Sequence, residues 1–392
     1  MTAVSHRVGL SRLTTLLAGR AVFRLMLYGS AALLALAWTR PDFNAYAAVM
    51  GAVGWLCMVV QSGGEKAALK LIPRARRTRD DLVGMLRALV AYVPLPPALA
   101  AVTALALAPH ARVTLYLLGV AYYVGLGCGM LGVALHRALG NYTRDTVHFA
   151  VLGVGMGTMA ALAFLAGIGP AGYLTGLLAL VTALNVALLP GLPRRTRPRP
   201  GVRRVLAGTV LLMGAADVMN NAMIGALFVE LALSPYAAHS GDLYLVTLGW
   251  GFALSILYTV QRIYQPQLSL RVAGGGVAGA RVLARRMAGL AAAGAALWLL
   301  IAGIVLAAWG VEGPVALAVL ALTLLPMQAL ASGATFVVEH TNLRANARAV
   351  VVALAAVAGL GVVAISLAGA AGAVYALGAN PLVLGLALWR AR

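Results

Sequence analysis

Long apolar runs, interrupted at intervals by short clusters of arginine, glycine and proline, follow one another along the whole chain. From Ala45 to Val60 the chain passes without a single charge, and then QSGGEKAALKLIPRARR at 61–77 brings glycines, an acid and a group of cations within a few helical turns. A helix needs roughly 20 apolar residues to cross a bilayer. Segments of that kind are predicted near 16–38, 45–64, 83–108, 113–135, 147–167, 170–190, 205–232, 243–264, 283–309, 314–337, 347–368 and 370–389. Only the glycine-rich stretch around Gly369 and Gly372 separates the last two. A membrane β-barrel would show alternating segments of about ten residues, and this sequence has none. The pattern therefore predicts an all-α polytopic membrane protein of about twelve transmembrane helices.

Composition agrees. The chain is 62% hydrophobic and 10% charged over 392 residues, too few polar residues to cover a water-facing sphere. The net charge of +20 raises a nucleic-acid partner as one explanation, and attraction to anionic lipid as another. Position decides between them. Assigned to alternate ends of the spans, nearly all the arginines fall on one side. Six of them cluster in the linker and entry from Arg194 to Arg204, while the opposite side carries only Arg40 and Arg112. Arginine-rich short loops stay cytoplasmic, so both termini are expected on the cytoplasmic side of the cell membrane, and no nucleic acid is needed to explain the charge. The arginine-bearing start followed by an apolar run resembles a signal peptide, but the length of the run and the bulky Trp38 favour an uncleaved first span. Cys57 and Cys128 lie inside apolar stretches and point to neither a disulfide nor a metal site.

The chain also looks doubled. The basic linker divides it into an N-terminal six-helix bundle at 1–192, a cytoplasmic segment at 193–204 and a C-terminal six-helix bundle at 205–392. A shift of about 197 residues sets Tyr46 near Tyr244 and Gly51 near Gly249. Both halves begin inside, so the repeats would be parallel, related by an axis along the membrane normal.

Polar residues within the spans carry what chemistry there is, because ionisable groups are costly in hydrocarbon and usually face a cavity or a partner. In the first span Arg20, Arg24 and Tyr28 recur at i, i+4, i+8 and share a face. In the seventh, Asp217, Asn220 and Asn221 do the same at i, i+3, i+4, and the repeat shift superposes Arg20 on Asp217 and Arg24 on Asn221. These stripes are expected to line a hydrophilic cavity open to the cytoplasm in one state. For Arg24 a snorkelling side chain is the alternative; for the Asp217 group it is helix–helix hydrogen bonding. Lys66, Lys70 and Arg262 are further candidates near the cytoplasmic boundary. Glu65 reads as boundary polarity, His136 and His148 as headgroup contacts, and Gly63-Gly64 as a point where span two bends. Gln261 and Gln265 read as an interfacial boundary, and Glu339 with His340 similarly ends span ten. Catalytic and nucleotide signatures are absent: the sequence contains no H-E-x-x-H, G-x-S-x-G, Walker A or C-x-x-C pattern. No enzyme activity, cofactor or metal is implied.

Two stretches carry a family likeness: FNAYAAVMGAVGWLCMVVQSGGEKAALKLIPR at 43–74 and GDLYLVTLGWGFALSILYTVQRIYQPQLSLR at 241–271. With Tyr244 and the run Pro266-Gln267-Leu268-Ser269 in the second copy, the chain resembles the polysaccharide flippase branch of the multidrug/oligosaccharidyl-lipid/polysaccharide exporter superfamily. The first copy departs from the family at its entry, with Asn44-Ala45-Tyr46 where glycine is commoner. The resemblance implies two six-helix bundles working by alternating access, and a lipid-linked oligosaccharide or polysaccharide precursor turned from the cytoplasmic to the outer leaflet. It implies a cation on span one for the lipid diphosphate, a role that fits Arg24 with Arg20 assisting, and a coupling ion, H+ or Na+. A guanidinium fork suits phosphate oxygens and keeps its charge when partly desolvated. A cation-coupled multidrug exporter of the same superfamily, with Asp217 as the cation-binding carboxylate, is the alternative. A non-transporting scaffold in glycan assembly is a further one.

Overall fold

The computed structural model describes residues 10–73, 75, 77–194, 200–273, 276–311 and 313–390; within its helices the side chains of 10–17, Lys70, Pro200, 258–273 and His340 lie outside the description. All regular structure among the described residues is helical. In chain order the helices are α1 (Leu10–Ala37), α2 (Arg40–Val53), α3 (Leu56–Leu71), α4 (Arg79–Tyr92), α5 (Leu95–Leu107), α6 (Arg112–Ala138) and α7 (Tyr142–Ala166). They continue with α8 (Pro170–Leu188), α9 (Pro200–Leu233), α10 (Ser240–Ala273), α11 (Val277–Trp309), α12 (Gly313–Thr341), α13 (Leu343–Leu377) and α14 (Ala379–Arg390).

Among the described residues, 11 stretches are long and apolar enough to cross a membrane, and the chain is a multi-pass α-helical membrane protein. The difference from the twelve predicted spans is confined to the C-terminus, where one stretch of 48 residues, Leu343–Arg390, covers the last two. The backbone breaks inside it, at Ala368 and at Gly369 with φ 55 and ψ −129. That conformation is open to glycine alone, and it is the separation the sequence places around Gly369.

Two other spans are jointed. The second is interrupted by a turn at Gly54-Trp55, between α2 and α3. The third is interrupted at Val93-Pro94, between α4 and α5, where prolines at 94, 96 and 97 cannot supply the helical N–H donors. At Gly63-Gly64, where the sequence suggests a bend, the helical hydrogen bonding of α3 continues without a break. A β-carbon on Gly63 would run into the Val210 carbonyl of α9, and Gly214 packs against the Gly63 Cα. Here glycine serves a close helix crossing.

Packing divides the chain into two compact units, one of Met1–Thr39 with Leu56–Gly214, the other of Arg40–Trp55 with Ala215–Arg392. These borders cut the chain differently from the sequence halves, since α2 packs in the second unit and α9 enters the first as far as Gly214. In the first unit α6 is the central helix, buried along most of its length. α1 lies along α7, where Phe23 meets Phe149 with ring centroids 5.5 Å apart. Ala67, Ile72, Val83, Leu86, Leu131 and Leu135 join α3, α4 and α6 in one core.

In the second unit the core is built of small residues, among them Ala280, Ala284, Ala288, Ala291, Ala331, Ala334 and Ala353. Small side chains let membrane helices approach closely, where water supplies no hydrophobic drive. Trp298 anchors this unit, donating from Nε1 to Thr323 Oγ1 at 2.9 Å and stacking on Tyr375. At the other border of the unit, Asn44 Oδ1 of α2 accepts the Gly241 N–H at 2.9 Å. Tyr46 and Tyr244 meet edge to face at 5.8 Å. Asn44 and Gly241 are 197 residues apart, the repeat shift itself, so the segments that the sequence doubling equates pack against each other.

Candidate functional site

The polar stripe of α1 is real but does not act as one piece. Arg20, Arg24 and Tyr28 follow one another up a face of the helix, all half-buried. Arg20 is held at 3.2 Å by Asp145 Oδ2 of α7 and lies over the Phe149 ring, 4.9 Å from its centroid. Arg24 lies one turn further along, four residues before Tyr28.

Asp145 is the hub of a network that sequence spacing does not reveal. Its side chain is 0% exposed, and Arg137 Nε of α6 reaches the same Oδ2 at 3.4 Å. Arg137 Nη2 in turn donates to Glu65 Oε1 of α3 at 2.7 Å, and Glu65 Oε2 accepts from Gln61 Nε2 at 3.1 Å. Two guanidiniums and two carboxylates from α1, α3, α6 and α7 thus form a chain of balanced charge. Burying ions is unfavourable unless each is paired and its lone pairs are filled; the charges are paired, while Asp145 Oδ1 is buried with no hydrogen-bond partner among the described residues. Here one carboxylate oxygen serves two cations, and the network ties four helices together at one end of the unit. Glu65 is therefore a buried member of an ion network and not boundary polarity, as its sequence position had suggested.

A second polar knot sits beside the first. His136 Nε2 lies 2.8 Å from the Leu188 carbonyl, so that nitrogen carries the hydrogen. Arg144 Nη1, 3.3 Å from the same nitrogen, therefore finds its acceptor in the Pro190 carbonyl at 2.6 Å. His136 and His148 are 2% and 5% exposed. Both are buried among helices, which corrects the headgroup role expected for them; α7 begins at Tyr142 and draws His148 inside.

The second unit holds the other stripe. Asp217, Asn220 and Asn221 are half-buried on α9, and Asn221 Nδ2 donates to the Asp217 backbone carbonyl at 2.8 Å. Glu230, further along α9, was not singled out by the sequence. Its Oε2 is buried against Gly361 of α13 with no hydrogen-bond partner among the described residues. Lys66 is half-buried on α3. The side chains of Lys70, Arg262, Gln261, Gln265 and His340 lie outside the described residues. Among those described, no group of three or more His, Cys, Asp or Glu is placed to hold a metal ion.

No family model and no curated protein sequence matches the chain. Solved structures do. A multidrug resistance MATE family transporter of the MOP superfamily, in its inward-facing conformation, superposes with a TM-score of 0.66 at 9% identity, over 93% of this chain and 93% of its own. The lipid II flippase MurJ in an inward closed conformation gives 0.62 at 11% identity, over 95% and 86%. A MATE transporter of Vibrio cholerae gives 0.58 at 14% identity, over 97% and 95%. Across nearly its whole length, this chain has the fold shared by MATE transporters and MurJ, in an all-helical membrane protein.

Proposed function

We propose that the chain is a transporter that moves a lipid-linked oligosaccharide or polysaccharide precursor from the cytoplasmic to the outer leaflet by alternating access. Both termini would lie in the cytoplasm, and an ion gradient, of H+ or Na+, would bias the cycle. The observation that carries this reading is Arg24, a half-buried guanidinium on the first span of a fold that MurJ shares. A cation at that depth matches a lipid diphosphate, which needs charge and a planar donor set inside a low-dielectric site. The principal ligand role is assigned to Arg24, as the family resemblance implies, with Tyr28 one turn further along the same face and Arg20, paired with Asp145, assisting. Lys66 and Lys70 would meet the headgroup earlier on its path, and Arg262 remains a cavity candidate.

One observation favours the multidrug alternative. α9 carries two acidic side chains within its span, Asp217 and Glu230, both half-buried, and intramembrane carboxyls are a usual means of coupling to cations. They also serve the flippase reading, as the site of the coupling ion. A chromosomal deletion separates the two. The flippase reading expects accumulated lipid-linked saccharide, rescued by the wild-type gene and not by an equally expressed Arg24→Ala variant. Drug sensitivity without an accumulated intermediate would overturn it in favour of the exporter. Neither phenotype would leave the scaffold reading.

A further inference from the structure

The second unit carries a groove whose lining includes none of the polar-stripe residues. α11 and α14 run antiparallel: Gly385 packs on the Ala288 carbonyl and Ala292, while Gly378 packs on Trp298. Outside this seam lies an almost wholly apolar groove of about 310 Å³. Gly289, Ala293 and Ala296 of α11 form one wall, and Leu382, Leu386 and Trp389 of α14 form the other. At the end where α11 begins and α14 finishes, Arg281 and Arg285 line a cleft with Thr341 and Asn342. Asn342 Oδ1 accepts from the Ala345 N–H at 3.1 Å, and its amide NH2 is a neutral donor at the cleft. Arg286, Arg344, Arg348 and Arg390 belong to the same helix ends, against a single acid, Glu339, among the described residues.

The two features are joined by helix geometry. Arg285, Gly289, Ala292 and Ala296 follow at i, i+4, i+7 and i+11, one stripe of α11. From Arg285 to Ala296 that stripe rises about 16 Å at 1.5 Å per residue. Half of a bilayer's hydrocarbon core is about 15 Å. The arginines therefore stand at headgroup level when the far end of the groove reaches the bilayer midplane. Trp389 is exposed beside Gly289, at the level where indoles mark the membrane–water border.

We propose that this groove is a binding site for one anionic phospholipid of the surrounding bilayer, with its phosphodiester on Arg281 and Arg285 and an acyl chain along α11 and α14. The cleft itself is only about 20 Å³, so the phosphate lies across its mouth and takes hydrogen bonds from the two guanidiniums and the Asn342 amide. Charge selects the occupant. A zwitterionic lipid would fill the groove equally well, but it would bring an ammonium group to an end crowded with arginines. Each basic side chain near an anionic lipid contributes about 1 kcal/mol, so two direct contacts predict a preference of at least tenfold.

Native mass spectrometry of the full chain in detergent, given equimolar phosphatidylglycerol and phosphatidylcholine with matched acyl chains, reads that preference directly. Wild type is expected to retain phosphatidylglycerol at least tenfold over phosphatidylcholine. Arg281→Gln with Arg285→Gln should bring the ratio near parity. Arg344→Gln with Arg348→Gln, on the same side but outside the cleft, should leave it unchanged. Ala293→Phe with Ala296→Phe, both on the exposed face of α11, should lower retention of phosphatidylglycerol at least fivefold while the protein elutes as wild type. Parity in wild type overturns the proposal. So does an equal loss of preference in the Arg344 and Arg348 pair, which would mean diffuse surface attraction. Displacement of the lipid by glycerol phosphate at the lipid's own concentration also overturns it, because the site would then be one for a free anion.

Discussion

Removing the Asp145 carboxylate tests whether the four-helix ion network holds the first unit together. Asp145 is fully buried and its Oδ2 faces Arg20 at 3.2 Å and Arg137 at 3.4 Å. In Asp145→Ala, Arg137 keeps Glu65 and Arg20 loses its carboxylate, so the network carries one uncompensated positive charge. Breaking a buried pair by deleting one partner costs about 3–5 kcal/mol. Arg20 is 28% exposed and can turn toward water, which places the expected loss at the lower end, about 3 kcal/mol. Arg20→Gln leaves Asp145 with Arg137 and should cost about 1 kcal/mol, since a partly solvated ion pair contributes little. Once the carboxylate is gone, Arg20 has no ion-pair partner left to lose in Asp145. The double variant should then match Asp145→Ala, a coupling of about 1 kcal/mol, beyond the few tenths expected of independent sites. Unfolding in mixed micelles of dodecylmaltoside and dodecyl sulfate, followed by tryptophan fluorescence, measures all three. An Asp145→Ala variant within about 0.5 kcal/mol of wild type, or single effects that simply add, would refute the account.

Four further predictions follow from packing. Gly63→Ala drives a methyl into the Val210 carbonyl across a close crossing and should cost about 1–3 kcal/mol in the same assay. By contrast Gly208→Ala, with open space around it, should be neutral or stabilising by about 0.5–1 kcal/mol. At the break in α13, Gly369→Ala must adopt a φ of 55 with its new methyl against the Tyr236 ring. It should lose about 1–3 kcal/mol, and a wild-type unfolding midpoint would show that the break is not fixed by the backbone. Cys57 and Cys128 are buried, so neither thiol should react with maleimide until the chain is unfolded; labelling of the native protein at the rate of a free peptide thiol would contradict their placement.

The membrane class, the positions of the spans and the doubling were legible in the sequence because each depends on local or summed properties. Apolar run length reports hydrocarbon thickness directly, and the repeat shift that aligns Tyr46 with Tyr244 is the one at which α2 and α10 touch. Even the weakest boundary, around Gly369, was visible as composition, since a left-handed backbone position calls for glycine. Arg20, Arg24 and Tyr28 were also found by helical spacing alone.

What a side chain does within a span was decided elsewhere. Glu65 and Lys66 are adjacent in sequence, yet only the fold shows Glu65 accepting from Arg137, 72 positions away. Asp145 and Arg144 look alike as the wet start of a helix, but helix packing buries the first as a hub and leaves the second capping the Pro190 carbonyl. Gly63 was expected to bend its helix, and only the fold shows that its missing side chain makes room for the Val210 carbonyl of α9. Periodicity fixes which face of a helix is polar, since that follows from 3.6 residues per turn. It cannot say which other helix supplies the opposite charge, because that partner is brought within 4 Å only by tertiary packing. The chain by itself thus determined that this is a doubled bundle of membrane helices with polar stripes; the folded structure decided which of those polar groups are committed to the protein's own helices.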